Sequence, residues 1–299
     1  MEKDEEKINF AFFGSPNFAK IVLEKLIENK WIPSLLICNP DKPFGRKKII
    51  TPPATKKLIL SQKKEIQEKV KIIQPASKKE LEELAEKNLF KEIQLGIVAA
   101  FSQIISSKVL KAFPLGVIGV HPSLLPKYRG PSPIQTMILE DEKNIGVTLF
   151  LLDEELDHGP IIASETLKKE EAWRPSFEEL EKELAQLAGE LLRENLSLFL
   201  KKKIKLINQD HSKATFTKKF TTQDGFVDLE KDDPLLIERK IRALNPNPGV
   251  FTFLRGERIK LLEATVYDDQ VAITKIIPAG KKERKCFIPL PLKEDFVLN

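Results

Sequence analysis

The stretch "GVIGVHPSLLPKYRGPSP", Gly116 to Pro133, reads as an apolar strand, a turn and a proline-rich loop. It places His121, one of only 3 histidines in 299 residues, at the carboxyl end of that strand. Side chains alternate between the two faces of a strand. The residue one step back on the face of His121 is therefore Gly119, which has no side chain to offer. A run that is apolar throughout, rather than alternating, suits a strand covered on both faces, as in a parallel α/β sheet.

Outward from this run the same texture recurs. "INFAFFG" (Ile8 to Gly14), "SLLICN" (Ser34 to Asn39), "VKIIQP" (Val70 to Pro75), "LGIVAAF" (Leu95 to Phe101) and "VTLFLLD" (Val147 to Asp153) are further candidate strands. Between them, "NFAKIVLEKLIENK" (Asn17 to Lys30) and "KKELEELAEKN" (Lys78 to Asn88) repeat apolar residues at helical spacing. Strand and helix in alternation predict a mostly parallel α/β sheet. A longer helix is expected over Ser176 to Lys203, with Ser176 and Glu179 spaced as a capping box and lysines at its negative end. Beyond it come short alternating segments, "ATFTKKFT" and "GVFTFLRGERIKLLEATVY", around one helical piece, "PLLIERKIRALN". The expected organisation is a catalytic α/β domain over 1–202, a linker over 203–212 and a small β-rich domain over 213–299.

Composition narrows the function classes. With 41% hydrophobic and 31% charged residues the chain is globular rather than disordered. Cys38 and Cys286, in no paired spacing, argue against a structural zinc or a disulfide framework and suit a reducing cytoplasm. The acidic start "MEKDEEK" is unlike a secretory signal, and no apolar run is long enough for a bilayer, so no membrane partner is expected. The turn "GSPNF" lacks the GxGxxG spacing and no P-loop pattern occurs, which speaks against dinucleotide and P-loop nucleotide binding. From Lys201 onward 20 Lys and Arg face 14 Asp and Glu, against 29 and 30 before it. The basic C-terminal third suits a polyanion.

Two loops carry candidate chemistry, "HPSLLPKYRG" after one strand and "DEELDHGP" after the next. If consecutive strands run parallel, both loops meet at one sheet edge and bring His121, Asp153, Asp157 and His158 together. A histidine held by a carboxylate is a proton shuttle near neutral pH. His158, beside Asp157 and facing solvent, is the second choice of acid. His211 falls in the linker as a structural residue or a weak phosphate contact.

"HPSLLPKYRGPSPIQ" followed by "GVTLFLLDEELDHGPII" resembles the signature of the 10-formyltetrahydrofolate-dependent formyltransferases. "FAFFGSPNFA", "NPDKPFGRKK", "VAAFSQII", "ATFTKKFTTQDGFVDL", "IRALNPNPGVFTFLRGERIKLLEA" and "PAGKK" resemble the branch of that family whose acceptor is methionyl initiator tRNA. The resemblance implies a Rossmann-like formyltransferase domain, a small C-terminal OB-like β-barrel, a monomeric chain and no metal. In the implied reaction the amine attacks the formyl carbon of 10-formyltetrahydrofolate, an oxyanion develops, and the folate nitrogen leaves with a proton. On this resemblance His121 is the acid/base and a donor to the oxyanion, and Asp157 holds it and relays a proton through water. Ser123, Leu124, Leu125 and Pro126 match the folate-binding turn, with Phe101, Ile104 and Asp153 beside it.

The family's third catalytic residue is an asparagine two positions before the histidine, where this chain has Gly119. An amide aimed at an oxyanion contributes about 2.7 to 4 kcal/mol, or roughly 100- to 1000-fold in rate. Either the chain is a slow or inactive relative, or Gln103, Ser123 or a water supplies the donor, or the residue has been altered in this chain.

For the acceptor, the basic loop "DKPFGRKKIITPPATKK" (Asp41 to Lys57) suits the phosphates and splayed bases at the end of a tRNA. Arg46 matches the family's prominent arginine, with Lys42, Lys47 and Lys48 beside it. Lys201, Lys202, Lys203, Lys218, Lys219, Arg255, Arg258, Lys281 and Lys282 are expected phosphate contacts of an OB-like domain. Between "EATVYDD" and "IIPAGKK" roughly two or three strands of the family's barrel are missing at usual strand lengths, so a trimmed barrel is expected.

Overall fold

The structure, a computed structural model, describes residues 8–45, 47–170, 173–268 and 270–292. They group into two compact units. One holds the residues up to Arg129 together with Gly146–Leu167 and Lys182–Thr215; the other holds Gly130–Ile145, Lys168–Glu181 and the residues from Phe216 on.

In the first unit, β1 (Phe10–Phe13) and β2 (Leu35–Ile37) are followed by a separate hairpin of β3 (Lys42–Phe44) and β4 (Ile49–Thr51). Then come β5 (Lys71–Ile73), β6 (Leu95–Ala99), β7 (Val117–His121), β8 (Gly146–Leu151) and β9 (Ile161–Thr166). One seven-stranded sheet has the order β5-β2-β1-β6-β7-β8-β9. The neighbours from β5 through β7 are parallel, while β7–β8 and β8–β9 are antiparallel. Every residue of β1 is buried, as its unbroken apolar run predicts. Each phenylalanine so removed from water contributes about 1.5–3 kcal/mol. Helix α1 (Asn17–Glu28) buries Phe18, Ala19, Val22, Leu23 and Leu26, one apolar stripe at helical spacing. On the other side of β1, Phe13 meets the rings of Phe90, Phe101 and Phe113 at centroid distances of 6.1, 5.6 and 5.9 Å. Chain order reverses at β1, which has β2 on one side and β6 on the other, and such a reversal opens a crevice at the carboxyl ends of the strands. His121 ends β7, the next strand along that edge.

The antiparallel direction of β8 corrects one expectation. Leu151, at the end of β8, lies opposite Ile118 near the start of β7, so the loop after β8 begins at the end of β7 remote from His121. The long loop expected over Asp41 to Lys57 is instead the β3–β4 hairpin followed by helix α2 (Ala54–Ser61), with α3 (Lys64–Lys69), α4 (Lys78–Glu86) and α5 (Ser107–Leu110) beyond it.

The second unit contains α6 (Pro133–Leu139), the start of α7 (Phe177–Leu200), α8 (Pro234–Leu244), and β10 (Val250–Leu254), β11 (Glu257–Tyr267), β12 (Gln270–Pro278) and β13 (Arg284–Leu290). These strands form a four-stranded antiparallel sheet in sequence order, consistent with a small barrel domain and shorter than the five strands of an OB-fold. Ser176 and Glu179 form the capping box, with Ser176 N donating to Glu179 Oε2 at 2.8 Å and Glu179 N to Ser176 Oγ at 3.3 Å. "ATFTKKFT" is not a strand. Its polar groups bond to the proline-rich loop instead, with Arg129 N donating to Thr215 O and Ser132 N to Thr217 Oγ1.

Within α8, Glu238 is 3% exposed and receives Arg242 at 2.6 and 3.0 Å, with Arg174 Nη1 3.6 Å away. Removing one partner of a buried pair strands the other charge, typically by about 3–5 kcal/mol. Glu238→Ala is therefore expected to lower the unfolding free energy by that amount, read by circular dichroism in urea, and a value within about 1 kcal/mol of the parent would contradict it.

Candidate active site

His121 is 6% exposed, and its Nε2 lies 2.9 Å from the carbonyl oxygen of Tyr128. A carbonyl only accepts, so Nε2 carries the hydrogen. The other ring nitrogen, Nδ1, faces Asp157 Oδ2 at 3.7 Å, beyond a direct hydrogen bond but within ion-pair range for a protonated ring. Although its loop starts near the beginning of β7, the 153–159 segment returns Asp157 to His121. Two backbone features make this return. Asp157 adopts φ +48°, a left-handed conformation that L side chains seldom take, and a Cβ on Gly159 would sit 1.9 Å from Leu151 O.

Asp153 and His158 form a different pair. His158 Nδ1 donates to Asp153 Oδ2 at 2.7 Å, and Asp153 Oδ1 accepts from Glu155 N at 3.0 Å. Rather than sitting free beside Asp157, the His158 ring stacks on His211 at 4.0 Å with planes 5° apart. His211 is packed into the first unit rather than lying in a bare linker, and its Nδ1 accepts from Arg129 Nη2 at 2.9 Å.

Phe150 occupies the space that residue 119 would use. It lies opposite Gly119 in the β7–β8 register, and a Cβ built on Gly119 would stand 2.4 and 2.6 Å from the Phe150 ring and 2.6 Å from Leu152 Cδ1. Phe150 is 3% exposed, and its ring meets the His121 ring edge-on, 6.5 Å between centroids at 89°. The alternative donors have hydrogen bonds of their own. Ser123 Oγ, fully buried, donates to Lys127 O at 2.7 Å, and Gln103 Nε2 donates to Pro75 O at 2.7 Å.

Around His121, the turn Ser123–Pro126 is fastened by Thr148, whose Oγ1 donates to Ser123 O at 2.7 Å and accepts from Leu125 N at 3.1 Å. Leu125 is buried and Leu124 half-buried. Phe101 packs into the core against Phe13, whereas Ile104, in the loop after β6, is 72% exposed. Among the described residues no cluster of three His, Cys, Asp or Glu could hold a metal ion.

Lys42, Lys47 and Lys48 are exposed on the β3–β4 hairpin; Arg46 lies outside the described residues. The hairpin also presents Phe44, Ile49 and Ile50 to solvent, which the count of basic residues did not reveal. Its base is pinned by Lys56, which donates to both Asp41 oxygens at 3.0 and 2.8 Å and to Gln74 Oε1 at 2.8 Å. These bonds from Lys56, with a further one from Gln74, hold the Asp41 carboxyl below its ordinary range. In the C-terminal part, Lys201, Lys202, Lys203, Lys219, Arg255, Lys281 and Lys282 are exposed. Lys218 pairs with Asp224, and Arg258 lies 3.8 Å above the ring of Phe251. Cys38 and Cys286 are free thiols, and burial pushes Cys38 up to about 11.

Comparison with known proteins fits this geometry. Residues 6–196 match the formyl transferase family and residues 219–285 its C-terminal domain. The methionyl-tRNA formyltransferase of Thermotoga maritima is 38% identical over 265 residues, 87% of this chain and 80% of that protein. That of Staphylococcus epidermidis is 32% identical over 298 residues, 92% and 93% of the two chains. Among solved structures, a methionyl-tRNA formyltransferase from Clostridium thermocellum superposes with TM-score 0.59 at 17% identity, covering 94% of this chain and 100% of that one. An N-formyltransferase from Helicobacter canadensis, in complex with folinic acid and dTDP-3-aminofucose, gives 0.61 at 20% identity, covering 89% and 95%.

Proposed function

Because the chain belongs to the formyl transferase family, we infer that it moves the formyl group of 10-formyltetrahydrofolate to the amino group of methionyl initiator tRNA. The observation that carries this reading is the His121–Asp157 pair beside the Ser123–Pro126 turn, on a chain whose curated relatives are methionyl-tRNA formyltransferases. The folate supplies a formyl carbonyl whose oxygen becomes anionic when the amine adds.

The Nε2 hydrogen of His121 is committed to Tyr128, so Nδ1 is the ring atom that takes and returns the proton. Asp157, 3.7 Å away, stabilises the ring while it carries that proton, and the Tyr128 carbonyl holds its plane. Gly119 brings no amide to the oxyanion, and the apolar ring of Phe150 lowers the local polarity there. Electrostatic interactions strengthen in such surroundings, which raises the share of stabilisation that falls to His121. Ser123, Leu124, Leu125, Pro126, Ile104, Phe101 and the turn at Asp153 would hold the folate.

We assign formyl transfer to the part before residue 203 and tRNA binding to 213–299 with the hairpin lysines, a division the separate matches at 6–196 and 219–285 support. Lys42, Lys47, Lys48, Lys203, Arg255 and Lys281 are the phosphate contacts, Arg46 joins them from the sequence alone, and Lys218 contributes a charge tempered by Asp224. The chain acts as a monomer in the cytoplasm, where initiator tRNA is charged; among the described residues no helix is long and apolar enough to cross a membrane.

A formylation assay of the full chain with charged initiator tRNA, charged elongator tRNA and a nucleotide-linked amino sugar tests this. Formylmethionyl-tRNA is expected only with the initiator. Turnover confined to the amino sugar, or tRNA binding with no turnover, would overturn the reading, the latter pointing to a non-catalytic relative arising from Gly119.

A further inference from the structure

We propose that Gln209 is a positioning residue for formyl transfer: its side-chain amide shapes the Asp157–Gly159 turn and thereby places the carboxylate that faces His121. The proposal rests on the role given above to Asp157. Gln209 lies beyond α7 in the first unit and is 5% exposed, although the residues on both sides of it are exposed. Its Nε2 donates to Asp157 O at 3.0 Å and to Gly159 O at 2.7 Å, so the two amide hydrogens hold two carbonyls of one turn. Its Oε1 accepts from Arg129 Nε at 3.2 Å and Nη2 at 2.5 Å.

Chemistry admits one orientation of this amide. Carbonyls can only accept and a guanidinium can only donate, so the nitrogen faces the turn and the oxygen faces Arg129. Arg129 is itself buried at 3% exposure and reaches His211 as well, which fixes the far side of the amide. Asp157 adopts φ +48°, a conformation that persists only where its surroundings impose it. The two bonds from Gln209 fall on the carbonyl of Asp157 itself and on that of Gly159 two residues on, and so help to hold the turn in that conformation. The carboxylate meets His121 Nδ1 at 3.7 Å, so a small drift of the turn takes it out of range.

The discriminating variant is Gln209→Glu. It keeps the size of the side chain and suits Arg129, but presents an oxygen where the carbonyls of Asp157 and Gly159 need a hydrogen. Gln209→Met, similar in length and uncharged, removes donation without adding charge and serves if the Glu variant does not fold. With methionyl initiator tRNA as substrate, each is expected to lower kcat about 10- to 100-fold and to leave the KM for tRNA within about twofold, because a misplaced catalytic group affects turnover rather than binding. In an Asp157→Asn background the same changes are expected to lower kcat by less than about threefold, since they act through that carboxylate. A folded Gln209 variant with kcat within twofold of the parent overturns the proposal, as does an undiminished loss in the Asp157→Asn background. If Asp157→Asn itself leaves kcat at the parental value, the reading of the site fails and this proposal with it; a normal response there with an indifferent Gln209 overturns the proposal alone.

Discussion

His121→Ala is expected to lower kcat for formyl transfer roughly 100- to 10,000-fold, the range over which a positioned acid or base contributes, with the KM for tRNA within about twofold. The effect belongs at the upper part of that range because, among the described residues, the other candidate donors named for this site are engaged elsewhere. His158 is turned to Asp153 and stacked on His211, Ser123 gives its hydrogen to Lys127, and Gln103 gives one to Pro75. His121→Gln separates the functions. It retains a donor for the Tyr128 carbonyl, which fixes the ring in the parent at 2.9 Å, but cannot take up a proton. Its kcat is expected to stay within about tenfold of the alanine variant, which would place the loss in proton transfer rather than in a hole left by the ring. Single-turnover kinetics with preformed tRNA complex provide the measurement, and a kcat in His121→Ala within about tenfold of the parent would remove the histidine from the chemistry.

The parallel half of the sheet was legible in the sequence because its signal is local. β1, β2, β6 and β7 are unbroken apolar runs, and α1 and α4 show helical spacing before any partner is known. Strand direction is not local. "VTLFLLD" has the apolar texture of its neighbours but runs antiparallel, and the sequence reading brought Asp153, Asp157 and His158 to His121 by assuming otherwise. Asp157 still reaches His121, through the left-handed turn, while Asp153 and His158 pair with each other. Gln209 carried no signal at all. A lone glutamine between polar residues looks like a solvated linker, and its meaning comes from carbonyls 50 and 52 positions earlier in the chain. The hairpin was hidden for a different reason, since Phe44, Ile49 and Ile50 are too few and too close to a basic turn to read as strands.

Gly119→Asn is expected to damage the protein rather than to restore a catalytic amide, with a loss of about 2–5 kcal/mol in stability from overpacking and from a buried amide short of partners. Inspection of the sequence alone suggests the opposite, because the substitution completes the family's N-x-H pattern. The register decides between them. Phe150 faces Gly119 across β7 and β8, and a Cβ at 119 would stand 2.4 Å from a ring that is 3% exposed and closed in by Leu152 as well as His121. The glycine and the phenylalanine are thus one feature, a small residue and a large one sharing a volume, and an amide at 119 requires the ring to move or to be replaced. Phe150→Leu combined with Gly119→Asn removes the ring contacts and leaves only the tip of the half-buried Leu152 to shift. The double variant is expected to regain at least half of the stability lost in Gly119→Asn and, once the amide is accommodated, to raise kcat above the parent by up to about 100- to 1000-fold, the contribution of one oxyanion donor. Urea unfolding and formylation kinetics on the parent, both single variants and the double measure the coupling directly. A Gly119→Asn protein that is as stable as the parent and faster would show that Phe150 yields readily, and the steric account of the missing amide would fall. If the double variant folds but gains no rate, the developing charge in this enzyme is met by His121 without help from position 119, and the exchange of an amide for an aromatic ring is a working alternative rather than a defect.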